Sequence, residues 1–95
     1  MFQFTLYSRS YCHLCQDMLD QLHVALGDVV HTIEVVDIDC VGNEEFLEVY
    51  DELVPVLMVS PEGGPRQKLC HYFLDLPALH LFLNESKEVF QHGTK

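Results

Sequence analysis

The stretch Tyr7-Ser8-Arg9-Ser10-Tyr11-Cys12-His13-Leu14-Cys15-Gln16 decides how the rest of the chain is read. Two cysteines at C-x-x-C spacing follow Met1-Phe2-Gln3-Phe4-Thr5-Leu6-Tyr7, an alternating, aromatic-rich run that predicts a strand. Behind Cys15, the apolar positions Met18, Leu19, Leu22, Val24, Ala25 and Leu26 recur at helical spacing. Ser10 is the expected cap of that helix and Gly27 its stop. The cysteine pair therefore falls at a strand-to-helix junction, with Cys12 close to the helix start. Unpaired N–H groups and the positive end of the helix dipole favour an anion there. A Cys12 thiolate is expected below the free-cysteine pKa, while Cys15, one turn deeper, is placed to resolve a mixed disulfide. Arg9 adds positive charge three residues upstream of Cys12.

The same pair could form half of a zinc site completed by Cys40, Cys70 or a histidine. Neither cysteine belongs to a second close pair, and no two histidines stand at helical i, i+4 spacing, so no metal is assigned. A third reading makes the thiols plain packing residues. Strand, C-x-x-C and helix in that order point instead to dithiol redox chemistry.

The chain has 95 residues, room for one small domain over 1–95. Its hydrophobic content of 48% is ample for a core, and only the last residues, Gln91 to Lys95, read as disordered. The formal charge of −10, from fifteen acids and five bases, argues against nucleic acid or an anionic membrane surface as partner. No apolar run has the length of a membrane span, and no secretory signal is recognised, so the expected compartment is cytoplasmic with reduced thiols. The expected oligomeric state is a monomer.

Beyond the first helix, Val29 to Asp39 read as a second strand with both faces largely covered. The strand–helix–strand unit makes it parallel to the first. Asn43 is the expected cap of a short second helix with Phe46, Leu47, Val49 and Tyr50 on its apolar side. Leu53 to Val59 predict a third strand opening on Pro55, whose missing N–H suits a strand start or bulge. Ser60-Pro61-Glu62-Gly63-Gly64-Pro65 is a turn leading to an antiparallel fourth strand over Arg66 to Tyr72. Asp75 caps a last helix with Pro77 in its first turn. The result is an α/β chain of order βαβαββα, a four-stranded mixed sheet with three helices.

That order, together with Leu6-Tyr7-Ser8-Arg9-Ser10-Tyr11-Cys12-His13-Leu14-Cys15, Val36-Asp37-Ile38-Asp39 and Val54-Pro55-Val56-Leu57, resembles a glutaredoxin-like protein of the thioredoxin fold over nearly the whole chain. The resemblance implies a thiol–disulfide oxidoreductase with Cys12 and Cys15 catalytic. It implies a cis Pro55 facing the cysteines, with Val54 presenting backbone to substrate, and Arg9 in the place of the family's lysine. No cofactor is implied, with glutathione a candidate reductant; the partner is a disulfide-containing protein or a small thiol. Two departures stand out. His13-Leu14 replaces the usual Pro-Tyr, and a charged His13 would modulate the couple by favouring the thiolate. The family's Gly-Gly after the fourth strand is replaced by Cys70-His71-Tyr72-Phe73, so glutathione binding stays open. The alternative is a non-catalytic thioredoxin-fold binding or redox-sensing module.

Overall fold

The computed structural model describes residues 2–10, 12–61 and 64–92, with side chains described as far as Asn84. In chain order the elements are β1 (Phe2–Ser8), α1 (His13–Leu26), β2 (His31–Asp37), α2 (Glu44–Tyr50), β3 (Val56–Ser60), β4 (Gln67–His71) and α3 (Leu76–His92). The sheet order is β2-β1-β3-β4, with β1 parallel to β2 and antiparallel to β3, and β4 antiparallel to β3. This is the expected βαβαββα arrangement, a mixed four-stranded sheet carrying three helices.

Strand β1 is the centre of the molecule, and Phe4 to Ser8 are buried without a break. Alternate side chains of a strand leave opposite faces. Phe4 and Leu6, with Leu57 and Val59 of β3, pack on Met18, Leu22 and Leu26 of α1 and on Leu79 and Phe82 of α3. Tyr7 and Val56 turn to the other face, against Ile38 and the α2 residues Phe46, Leu47 and Tyr50. Two helices therefore cover one face and α2 the other. Tyr7 stacks on Tyr50 with ring centroids 4.5 Å apart, and its hydroxyl accepts from Arg66 Nη1 at 2.9 Å. Burial holds that phenol above its ordinary pKa.

The covered-strand pattern expected for β2 belongs instead to β1. β2 is an edge strand, only partly buried, with Val35 half exposed. Hydrophobic runs report burial, not which strand ends up central, and here β3 claims the second side of β1. The observed strands are also shorter than expected, β2 by two residues at each end and β3 by three at its start, because Leu53 to Pro55 form its approach. Helix periodicity over-counted as well: Val24 of α1 is 83% exposed and Val49 of α2 62%.

Two caps differ from expectation. Cys12, not Ser10, is the α1 N-cap, and the Ser10 hydroxyl donates to Asp37 Oδ2 at 3.1 Å. Asn43 is the N-cap residue of α2, as expected, but its side chain makes no cap bond; its Nδ2 donates to the Asp37 carbonyl at 2.8 Å. Gly27 does end α1, with φ +50° and its N–H donating to the His23 carbonyl. Asp75 does cap α3, where Oδ1 accepts from the Ala78 N–H at 3.0 Å. The expected turn residues Glu62 and Gly63 lie outside the described residues. Of the tail expected to be disordered, Gln91 and His92 continue α3, and residues 93–95 lie outside the described set.

Candidate active site

In open α/β sheets the loops at the carboxyl ends of parallel strands build the site. Here those ends are Ser8 of β1 and Asp37 of β2, paired in register and joined onward by Ile38 N–H to the Ser8 carbonyl at 2.9 Å. The β1 end delivers the chain directly into the cysteine pair. Cys12 and Cys15 are joined by a disulfide, with Cα atoms 5.2 Å apart. Cys12 is half-buried and caps α1 through its sulfur, which accepts from the Cys15 N–H at 3.1 Å. Cys15 is buried at 5% exposure on the same α1 face as Met18 and Leu22. One sulfur is thus offered at the surface and the other held behind it.

A cavity of about 300 Å³ opens beside the pair. Leu6 and Val35, register partners on β1 and β2, line it together with Arg9, His13 and Gln16. His13 is exposed at its mouth. Arg9 lines it too, but its guanidinium is committed. Nε and Nη2 form a fork on the two Asp39 carboxylate oxygens at 3.1 and 2.9 Å, while Nη1 reaches Asp51 Oδ1 at 2.9 Å and the Asp51 carbonyl at 3.3 Å. Its hydrogen bonds to Asp39 first, then to Asp51, hold it all the more firmly protonated.

The register Tyr7↔Val56 sets Pro55 at the same end of the sheet as Ser8, and the Val54–Pro55 bond is cis. Pro55 is buried and Val54 half-buried. The Val54 N–H donates to the Tyr50 carbonyl at 3.1 Å, so the open backbone group of Val54 is its carbonyl, to which nothing donates among the described residues. The Pro55 carbonyl accepts from the Tyr72 N–H at 2.8 Å. Tyr72 has φ +64°, a left-handed conformation unusual for its type, and its hydroxyl donates to the Glu52 carbonyl at 2.6 Å.

The sequence marks Asp37 and Asp39 as strand-end acids without a role at the site and does not mark Asp51; each holds a loop around the disulfide. The Asp39 N–H, at 2.9 Å, and then the Ser10 hydroxyl bond the Asp37 carboxylate and hold it below the usual carboxylate range. The same carboxylate, by its charge, raises the thiol of exposed Cys40. Burial raises that of Cys70. Among the described residues, no group of three or more His, Cys, Asp or Glu side chains is placed to hold a metal ion. Among the same residues, no helix is long and apolar enough to cross a membrane.

A mixed sheet of this order, a cysteine pair at the first helix start and a cis proline just before the neighbouring strand define a protein of the thioredoxin-fold class. The chain belongs to the glutaredoxin-like domain family (DUF836), which matches residues 3–84. A protein of Nitrosomonas europaea solved by NMR in solution is 34% identical, with TM-score 0.70 over 85% of this chain and 89% of its own. A structural-genomics target from X. campestris is 27% identical, with TM-score 0.54 over 86% of this chain and 96% of its own. Chloroplastic thioredoxin z, at 14% identity and TM-score 0.66 over 90% of this chain and 77% of its own, shares the fold. No protein of curated function matches the chain. Family, fold and the bonded cysteine pair support a redox-type function.

Proposed function

We propose that the protein is a thiol–disulfide oxidoreductase. In its reduced form, the Cys12 thiolate attacks one sulfur of a substrate disulfide, and the other sulfur leaves as a thiolate. Cys15 then attacks Cys12 Sγ of the mixed disulfide, which releases the second substrate thiolate and forms the Cys12–Cys15 bond. Two electrons pass to the substrate, and a thiol or dithiol donor, glutathione included, returns the protein to the reduced form. The two thiols suffice for this exchange, without metal or organic cofactor.

The observation that carries the reading is the division of labour between the two sulfurs. Cys12 Sγ sits on the helix N-terminus and accepts an N–H bond, an arrangement that stabilises an anion. Cys15 is buried directly behind it. The Tyr7↔Val56 register brings the open Val54 carbonyl to the same end of the sheet, where it can accept from a substrate backbone. His13 at the cavity mouth modulates the couple whenever it carries charge. Arg9, committed to Asp39 and Asp51, serves by fixing three loops around the site.

The test is the redox equilibrium of Cys12 and Cys15 in defined thiol buffers, read by alkylation and mass spectrometry. A reversible two-electron couple in the span of known dithiol proteins, roughly −120 to −270 mV, is expected. Cys12→Ser should abolish disulfide reduction, and Cys15→Ser should accumulate mixed disulfide. Turnover surviving in Cys12→Ser would remove Cys12 as the attacking thiol, and no Cys12–Cys15 disulfide in any buffer would remove the reading in favour of a binding or sensing module.

A further inference from the structure

The polar groups around the disulfide are unevenly used. Donors are spent inside the molecule: Arg9 makes four hydrogen bonds to Asp39 and Asp51, Gln16 Nε2 donates to Asp20 Oδ1, and the Ser10 hydroxyl donates to Asp37. Among the described residues Arg9 is the only permanent cation lining the cavity, and it is doubly ion-paired. Acceptor capacity remains, among the described residues, on the Val54 carbonyl and Asp51 Oδ2, which take no bond, and on the second lone pairs of the singly bonded oxygens of half-buried Asp37 and exposed Asp39. Three carboxylates around one guanidinium leave this rim negative, on a chain of formal charge −10. Like charge brought against such a rim is repelled, and opposite charge is steered to it.

We propose that the disulfide attacked by Cys12 is carried on a cationic, extended protein segment, and that acidic disulfides, glutathione disulfide among them, are disfavoured at this site. The inference rests on the oxidoreductase reading and specifies its substrate. A lysine- or arginine-flanked segment supplies what the rim lacks: donors for the carboxylates and a backbone N–H for the Val54 carbonyl. A small acidic thiol needs cationic donors for its carboxylates, and among the described residues the guanidinium at the cavity, that of Arg9, is already taken.

The experiment follows mixed-disulfide formation by the reduced Cys15→Ser variant with three probes: a disulfide peptide flanked by lysines, the same peptide flanked by glutamates, and glutathione disulfide. At low ionic strength the lysine peptide should react about tenfold or more faster than either acidic probe. In about 0.5 M NaCl, where the screening length falls to a few ångströms, that advantage should shrink towards parity. Asp39→Asn combined with Asp51→Asn frees Arg9 and removes two negative charges. It should therefore raise the rate with glutathione disulfide and lower the rate with the lysine peptide. Equal rates for the three probes at low salt, or a faster acidic probe, overturn the inference while leaving the oxidoreductase reading in place. No reaction with any probe overturns both. Wild-type reduced protein, read by release of probe thiol, gives the same comparison if the serine variant does not fold.

Discussion

At Cys12 a single sulfur is both the offered atom of the pair and the cap of its own helix. The sequence pointed to Ser10 for the cap because hydroxyls are the usual choice, and nothing in a linear pattern shows that Ser10 turns to Asp37 instead. The pair itself was legible, because C-x-x-C spacing is local. The aspartates that hold Arg9 were not, because they lie 30 and 42 residues from it in the chain. Asp37 gives two tests. Its folded-state pKa is depressed, so its stabilising effect is present above the unfolded value, about 3.9, and is lost as pH falls through the folded value. Asp37→Asn should therefore flatten the acid arm of the stability profile measured by urea unfolding; an unchanged slope would remove the assignment. The same substitution removes the charge that raises the Cys40 thiol, so iodoacetamide labelling of Cys40 at pH 8 should speed up. Tyr72 offers a third. Glycine takes a positive φ without penalty and alanine does not, so Tyr72→Gly should be more stable than Tyr72→Ala by about 1 kcal/mol. The opposite order, by denaturant midpoint, would show that this turn relaxes out of the left-handed region.

Among the elements, order and type were readable from hydrophobic period and turn residues, and the proline and glycine punctuation placed most boundaries within a few residues. Strand order was not. An apolar run says that a segment is buried, while the identity of the strand between two others depends on pairings that arise only in three dimensions. The third helix shows where local reading works: Asp75 was expected as its cap and is one, with its carboxylate on the Ala78 N–H. Asp75→Ala should lower stability by about 1 kcal/mol, seen as a lower urea midpoint at unchanged slope. A loss confined to noise would mean that the backbone bond from Leu79 N–H to the Asp75 carbonyl holds this end unaided.

For the whole molecule, stability rests on the layer between β1, α1 and α3. Leu22 is fully buried there, so Leu22→Ala should lower the unfolding free energy by about 2–5 kcal/mol. A loss below about 1 kcal/mol would mean that the layer closes over the gap. The charge of −10 adds self-repulsion, so moderate salt should raise the melting temperature. A melting temperature independent of salt would show that local ion pairs already offset the repulsion.

The position of β1 also bears on how the protein comes into being. The strand at the middle of the sheet is made before both of its neighbours, and β3, which completes it, begins 48 residues beyond its last residue, at Val56 against Ser8. On a ribosome adding some 5–20 residues each second, β1 therefore waits several seconds for β3 to emerge. Through that interval Cys12 and Cys15 are carried on a chain that has no finished sheet to shelter the second sulfur. The newborn protein carries both thiols before it acquires the architecture that tells the two apart.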